Sequence, residues 1–538
     1  MHDSLTKNLV CSQYFKDKIF FDNKTRISKQ NESTNLRLTC DIIKKRRYFS
    51  PVPLSEEEKN FPLAYSFLVY KDYEFLELIL SLIYQPQNIY CYAVDEKQPL
   101  SFKFKIFLLT TCFENVFITD TEYAISSGGL HYGTSHLECI KKIKYFDWKY
   151  IFLLQNHDFP LKTNAELVKI LKVFQGTSDF KSARGSKGLI DQKLDWSFKG
   201  LKFYQNTSSW SSEILKTNIT LGKGYSEVTV SRETANHIIN VLNVTTYQSY
   251  FDKHHKFAND ELFWSTLFSN YKYLKIPGTI PKHCIHSPGA MKSFTRYTRW
   301  SYDRKVNNCS SGYRRHSICI FGMEYLNELE SQPHFFANKL MESFDVGAIN
   351  CMGERIFNRT FFPERFKEID LTPYSPRIQV RFQNFLKTSN DISKFNCNGF
   401  LLAYFLILFF IINGDSKKIP QIFGVVGRLT CDGKPMNDIK IKAFKDNDHL
   451  DTLLNKTYTN KNGVFVLLGK GESSRCLKAK VNIYHKCAKG WRLCYKKYTF
   501  WIPKKFIWKG KKIGKWLRVG QIRMSKTRGK WGERDCFN

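Results

Sequence analysis

Three places in this chain put polar, chemistry-bearing residues at the ends of apolar runs. Tyr70 and Asp95 lie in FPLAYSFLVYKDYEFLELILSLIYQPQNIYCYAVD (residues 61–95), and Asp158 lies in YIFLLQNHDFPLKTNAEL (150–167). Each block reads as an apolar strand, a short polar turn and then a helix, which sets these side chains at the carboxyl edge of a sheet, where α/β proteins bind ligands. A carboxylate there can accept hydrogen bonds from a bound group. The third place is the acid pair Asp260-Glu261 in FANDELFWSTL. A carboxylate so placed can take a proton from a substrate hydroxyl, and on residues alone Asn259, Asp260 and Glu261 also read as an ordinary helix cap.

The elements that must position these residues alternate between residues 61 and 360. Short apolar strands (Ala64 to Tyr70, Ile89 to Val94, Val116 to Ile118, Tyr150 to Leu154, Ile318 to Phe321) are separated by helical patterns such as Tyr73 to Tyr84 and Asn164 to Phe174. That order predicts a mainly parallel, doubly wound sheet. Before it, residues 1–60 are polar, carry Lys44, Lys45, Arg46 and Arg47, and read as a stem. After it, residues 366–398 read as a linker. FLLAYFLILFFII follows, thirteen apolar residues from Phe400 to Ile412 within a hydrophobic segment, 399–413. As a helix it would span only about 20 Å, short of a bilayer, so it reads as a signal-like segment, with a short membrane helix or a buried core helix as alternatives.

The 538 residues hold 83 Lys and Arg against 49 Asp and Glu, a net charge of +34. The basic residues are spread along the chain without zinc-finger spacing, an RNP-type strand or a GxxxxGK[ST] loop, so nucleic acid is not the expected partner. The densest cluster, Lys504 to Lys515, alternates with Trp and Ile as an exposed strand would. A nucleotide-sugar diphosphate, anionic glycans or lipid headgroups fit the charge better. Fifteen cysteines without CxxC pairs point to disulfides rather than zinc. Sequons at Asn206, Asn218, Asn243, Asn358 and Asn455, with further ones at Asn23, Asn31 and Asn308, agree with a secretory life. The N-terminal stretch has no apolar run long enough for a signal or anchor.

Residues 40 to 365 resemble the core 2 and I-branching β-1,6-N-acetylglucosaminyltransferase family, which reads AYSIVVHK, IY.PQN.YCIHVD and DFPLKTN where this chain reads AYSFLVYK, IYQPQNIYCYAVD and DFPLKTN. The resemblance implies a GT-A-like α/β fold and an inverting transfer from UDP-GlcNAc. Glu261 matches the base of the family's [ST]PDE..W.T, with Asn259 in place of Pro and Trp264 at the aromatic position. Lys339, in HFFANK, matches the lysine that offsets the diphosphate charge without a metal. The partner arginine aligns with His316 in an ungapped count, and Arg315 beside it is the expected cation, a solvated basic loop being the alternative. Asp95 is implied at the nucleotide end, Asp158 at the donor sugar, and Tyr70, replacing a His, as a ring against the uracil. The loop SSGGLHYG (126–133) falls near the donor. No D-x-D occurs in this region, Asp120-Thr-Glu122 being the nearest variant, so no metal cofactor is expected. Family positions imply the pairs Cys91 with Cys139, Cys40 with Cys112 and Cys309 with Cys319, and Cys11 with Cys351 as a fourth. Cys284 and Cys397 have no match.

From Ile422 the pattern turns to period-two alternation between Gly, Asn-Gly and Asp-Gly turns, which predicts a small antiparallel sandwich. Residues 420–538 resemble the nematode transthyretin-like family, with Cys431, Cys487, Cys494 and Cys536 at family positions and Cys476 extra. The whole therefore reads as a Golgi or secretory-pathway glycosyltransferase, with a UDP-sugar donor and a glycan or glycoprotein acceptor, carrying an extracellular transthyretin-like module of unknown ligand. Membrane association is expected of it. The rival readings are a secreted binding protein with a degenerate transferase region and a protein xylosyltransferase.

Overall fold

A computed structural model describes residues 4–15, 26–30, 33, 36–204, 206–208, 210–253, 258–285, 293–300, 309–375, 377–389, 391–397, 419–446, 451–473, 476–487, 495–510, 512–525 and 533–535. The run Phe400 to Ile412, the sequons Asn23, Asn31 and Asn308, and Cys494 and Cys536 lie outside the described residues. The chain divides into two units, residues 1–399 and 400–538.

The first unit is built on strands β1 (Leu63–Val69), β2 (Ile89–Val94), β3 (Val116–Ile118) and β4 (Tyr150–Gln155), parallel in the order β3-β2-β1-β4, with Val228–Ser231 antiparallel on β4. All seven β1 residues are buried, because helices cover both faces and leave no polar side to alternate with. Tyr65, Phe67 and Val69 join one core with the helix Tyr73–Ile83, while Ala64 and Leu68 join the other with Leu137 of the helix Tyr132–Lys142. Strand order reverses at β1, so β1 and β4 diverge into crossovers on opposite faces and leave a crevice at their carboxyl ends. The helix Asn164–Phe174 starts on a full capping box: Thr163 Oγ accepts the Glu166 amide and Glu166 accepts the Thr163 amide.

Three expectations change. Ile318 to Phe321 is not a strand of the main sheet: Ile318–Cys319 pairs with Arg314–Arg315 in a hairpin and bridges to Trp300, the hairpin being turned by His316 and Ser317 at positive φ of 49° and 63° and closed by the Cys309–Cys319 disulfide. Residues 1–60 are no free stem, because Cys11 is bonded to Cys351, Lys29 pairs with Glu74 at 2.6 Å, and Ile43 is fully buried. Residues 366–398 are no linker either. Tyr374 and Phe382 are buried, Arg377 pairs with Asp179 at 2.7 Å, and Cys397 is bonded to Cys284, the two cysteines without an expected partner. Polar composition hid this packing because its anchors are few and their partners are distant in sequence.

The second unit is a sandwich. Ile419–Cys431 pairs antiparallel with Val464–Ser473 and, against an all-antiparallel expectation, parallel with Leu517–Arg523. The facing sheet runs Thr452–Tyr458, Lys440–Lys445, Ala479–His485, Tyr495–Trp501, Glu533–Asp535. Phe423, Val425, Phe465, Ile441, Val481 and Ile483 fill the space between, and Cys431–Cys487 ties the end of Ile419–Cys431 to the residues just after Ala479–His485 of the facing sheet. Gly463 sits at φ +72° with Leu429 O only 2.4 Å from where a Cβ would be, so the turn admits no side chain. Lys504 to Lys515 holds a short 3-10 turn and the two-residue strand Trp508–Lys509 instead of one long strand. Cys476 is free and exposed.

Candidate active site

The crevice between β1 and β4 is lined by the turns that follow them. Asn156 Oδ1 accepts the amides of Tyr70 at 2.8 Å and Lys71 at 3.2 Å, which ties the two turns together. His157 Nε2 meets Asp72 Oδ2 at 2.7 Å, and its Nδ1 lies 3.4 Å from the Tyr70 hydroxyl. Burial lowers the His157 pKa to about 4 against the opposing pull of Asp72, so the ring is neutral near pH 7. Tyr70, half-buried at the crevice, is pushed up by burial, with Arg315 acting against the shift.

Asp158 is fully buried and its oxygens are committed. Oδ1 accepts Asn338 Nδ2 at 2.8 Å, Oδ2 accepts the Gln155 amide at 2.7 Å, and Arg296 Nη1 lies 3.5 Å away. Its pKa is raised by burial against these partners. In this geometry Asp158 holds the strand Phe336–Asn338, and with it Lys339, rather than reaching outward. Lys339 is lowered to about 8, first by burial and then by the charges of Arg315 and Arg296. Arg315, the residue next to the ungapped match, is therefore a cation that Lys339 feels. Its hairpin is held by the Phe321 amide, which donates to Lys339 O at 2.9 Å.

Asp95 is likewise occupied by its own chain. Its Oδ1 accepts the amides of Ile125 at 3.2 Å and Lys97 at 3.3 Å, and Oδ2 accepts Gln98 Nε2 at 3.1 Å. It shapes the loop after β3. The acids of the D-x-D variant are paired with lysines, Asp120 with Lys142 at 2.6 Å and Glu122 with Lys103 at 2.5 Å. Among the described residues, three His, Cys, Asp or Glu side chains come close enough to share an ion at His283, Cys284 and Cys397, where the two sulfurs are bonded to each other.

Glu261 stands in the first turn of the helix Asn259–Phe268, with its carboxylate 2.9 Å from Lys223 Nζ. Trp264 and Phe263 bury the helix into the core. The SSGGLHYG loop packs on its start: Gly128 O accepts the Asn259 amide at 3.1 Å, and a Cβ on Gly129 or Gly133 would collide with Asp260 or Phe263. Burial and then Glu261 raise Asp260 to about 6.

What sequence reasoning missed is the buried bridge between these parts. Arg296 forms an ion pair with Glu227, just before Val228–Ser231, and both are at least 92% buried. Burial raises the Glu227 carboxyl and the Arg296 charge opposes it. The charges of Asp158, Glu227 and Asp260 all act on Arg296. Contacts thus run from Asn338, the neighbour of Lys339, through Asp158 and Arg296 to Glu227, and the charge of Asp260, next to Glu261, acts on Arg296. Lys223 was missed as well. No local signal marks any of these residues, since an isolated Arg, Glu or Lys has no periodicity.

The remaining expected residues fall at defined places. Disulfides join Cys91 to Cys139 (S–S 2.04 Å), stapling β2 to the helix beneath it, and Cys40 to Cys112 (2.07 Å). Asn206, Asn218 and Asn455 are exposed, and Asn243 and Asn358 are half-buried. Among the described residues no helix is long and apolar enough to cross a membrane.

Residues 63–330 match the family model described as Core-2/I-Branching enzyme, and residues 426–503 match that of the Transthyretin-like family. A human protein named beta-1,3-galactosyl-O-glycosyl-glycoprotein beta-1,6-N-acetylglucosaminyltransferase 3 is 28% identical over 328 residues, 60% of this chain and 74% of that protein. The cattle protein named beta-1,3-galactosyl-O-glycosyl-glycoprotein beta-1,6-N-acetylglucosaminyltransferase is 29% identical over 332 residues, covering 59% and 74%. A protein of the same name from Bovine herpesvirus 4 is 28% identical over 341 residues, covering 61% and 75%.

Proposed function

We propose that this chain, a core-2/I-branching enzyme domain joined to a transthyretin-like domain, transfers N-acetylglucosamine from UDP-GlcNAc to a glycan hydroxyl with inversion, in the secretory pathway. The first unit carries a GT-A-like glycosyltransferase fold in this reading. Glu261 takes the proton of the acceptor hydroxyl as its oxygen bonds to the sugar C1, while the C1–O bond to phosphate breaks and UDP leaves with the electron pair. Lys339 and Arg315 offset the charge that grows on UDP, the electrostatic task a metal performs in other transferases. Tyr70 lies beside the base, and Asp95 and Asp158 shape the donor site through the loops they hold.

The observation that carries this reading is the buried chain Asn338, Asp158, Arg296 and Glu227, which lies between the buried, cation-flanked Lys339 and the helix start that bears Asp260 and Glu261. Six disulfides suit an oxidising compartment. UDP release from UDP-GlcNAc with mixed neutral and charged O-glycan acceptors tests it. No release above that of the Glu261→Gln protein would leave the secreted binding reading, in which the sandwich is the working part.

Activity is expected to survive EDTA, and full loss on chelation with rescue by manganese would show a metal site. A pH dependence also follows. The free Lys339 ammonium titrates at about 8, so its attraction for diphosphate is complete well below pH 8 and is lost as pH rises through it. The Kd for UDP-GlcNAc should rise about tenfold between pH 7 and 9. Lys339→Arg, charged throughout, should flatten that rise, and an unchanged slope in the variant would assign the titration elsewhere.

A further inference from the structure

A cavity of about 640 Å³ opens among residues 184–196, 218–221 and Lys282, a size that encloses a ligand of more than one sugar. Arg184, Lys187 and Lys282 line it together with Trp196, Asn218 and a single acid, Asp195. The acid does not serve the cations. Its Oδ1 accepts the amide of Ser197, the N-cap of the short helix Phe198–Leu201, at 2.9 Å, and hydrogen bonding to Ser197 holds its carboxyl below the usual range. Arg184, Lys187 and Lys282 are exposed, and none of them forms an ion pair with any described carboxylate. Three unneutralised cations around one concave, partly apolar space repel one another, and an anion placed between them would remove that repulsion.

The cavity is joined to the proposed catalytic carboxylate through one ribbon. Ala183–Arg184 pairs antiparallel with Gly222–Lys223, with Arg184 opposite Gly222. The next residue, Lys223, is the one that meets Glu261 at 2.9 Å. Gly222 and Gly224 lie so close to Ser265 of the Glu261 helix that neither position admits a Cβ, which fixes the ribbon on that helix. A glycan with its reacting hydroxyl at Glu261 would therefore extend along the ribbon toward Arg184.

We propose that the acceptor is an acidic glycan, whose sulfate, phosphate or uronate group binds among Arg184, Lys187 and Lys282. This rests on the transferase reading above and adds the acceptor class to it. The cations would supply charge-assisted hydrogen bonds of the kind worth about tenfold or more in affinity. Asn218 carries a sequon at the cavity wall, so Asn218→Gln protein is measured beside the parent to remove any chain-borne glycan from the mouth.

The full chain is assayed with neutral Galβ1,3GalNAc glycoside and with the same glycoside bearing a 6-sulfate or a 6-phosphate on the galactose, or a glucuronate in place of galactose. At low salt at least one charged acceptor should exceed the neutral one by about tenfold in kcat/KM, through KM, and the three charged arms identify the group recognised. The preference should shrink as ionic strength rises. In Arg184→Ala, Lys187→Ala, Lys282→Ala triple protein the charged-to-neutral ratio should fall toward 1. A neutral acceptor used as well as every charged one, or a preference that survives the triple substitution, overturns the proposal and leaves the transferase reading intact. Calorimetric binding of the four glycosides to Glu261→Gln protein gives the separate readout. A charged preference there that the triple substitution abolishes, with no transfer by the parent, supports the acidic ligand and removes the transferase reading. Equal or absent binding of charged and neutral glycosides overturns the acidic ligand.

Discussion

Glu261→Gln is expected to lower the transfer rate by about 10² to 10⁴-fold, the usual loss when a general base is removed, while the Kd for UDP-GlcNAc stays within about twofold. The substitution keeps the size of the side chain and removes only its charge and basicity. Glu261 also stands in the first turn of a helix and 2.9 Å from Lys223, so a purely structural acid at this place is the competing account. The two accounts predict different observables. A helix-terminal acid at a partly exposed site contributes about 0.3 to 1 kcal/mol to stability, which leaves the rate of correctly folded protein nearly unchanged. A general base leaves stability nearly unchanged and removes the rate. Single-turnover transfer at saturating donor, measured beside the unfolding midpoint, separates them, and transfer within threefold of the parent would remove Glu261 from the mechanism.

The second large effect is on stability. Asp179 is fully buried and receives Arg377 Nη2 at 2.7 Å, Ser293 Oγ at 2.9 Å, the Phe294 and Thr295 amides at 2.8 Å, and Thr295 Oγ at 2.7 Å. Arg377 is itself buried, with its guanidinium 4.0 Å from the Phe174 ring centre. Replacing it by Met leaves a carboxylate in the core without its cation, a change that costs about 3 to 5 kcal/mol in other buried pairs. Hydrogen exchange of the β1 to β4 amides in the full chain should accelerate about 10²-fold or more, since these report opening of the core. Acceleration under fivefold would mean that residues 366–398 do not stabilise the first unit. The same carboxylate anchors the chain entering Arg296–Thr298, so transfer by the variant should also fall, in step with its stability.

These two residues differ in how far each could be read in advance. Glu261 lies in a short pattern, acid pair then apolar helix, whose parts are neighbours in sequence. Arg377 and Asp179 are 198 residues apart, the first in a stretch whose polarity reads as a linker and the second outside every patterned element. The disulfides divide in the same way. Cys91–Cys139 joins two strongly patterned elements, whereas Cys284–Cys397 joins two weakly patterned segments 113 residues apart.

The amino-acid sequence by itself determined the strands β1 to β4 with their helices, the change to an all-β unit after Ile422, and the edge of the sheet at which Tyr70, Asp95 and Asp158 stand. These follow from periods of two and 3.6 residues and from local turn chemistry, which act over a few residues. Only the tertiary structure decided what the edge residues do. It turned Asp95 and Asp158 inward onto loop amides and Asn338, set Arg315 in a hairpin outside the sheet where its charge acts on Lys339, and inserted the Arg296–Glu227 pair beneath them. The physical reason is that a buried charge is tolerated only where a partner arrives from elsewhere in the chain. That meeting is set by how the layers pack, and no local pattern of residue types encodes it.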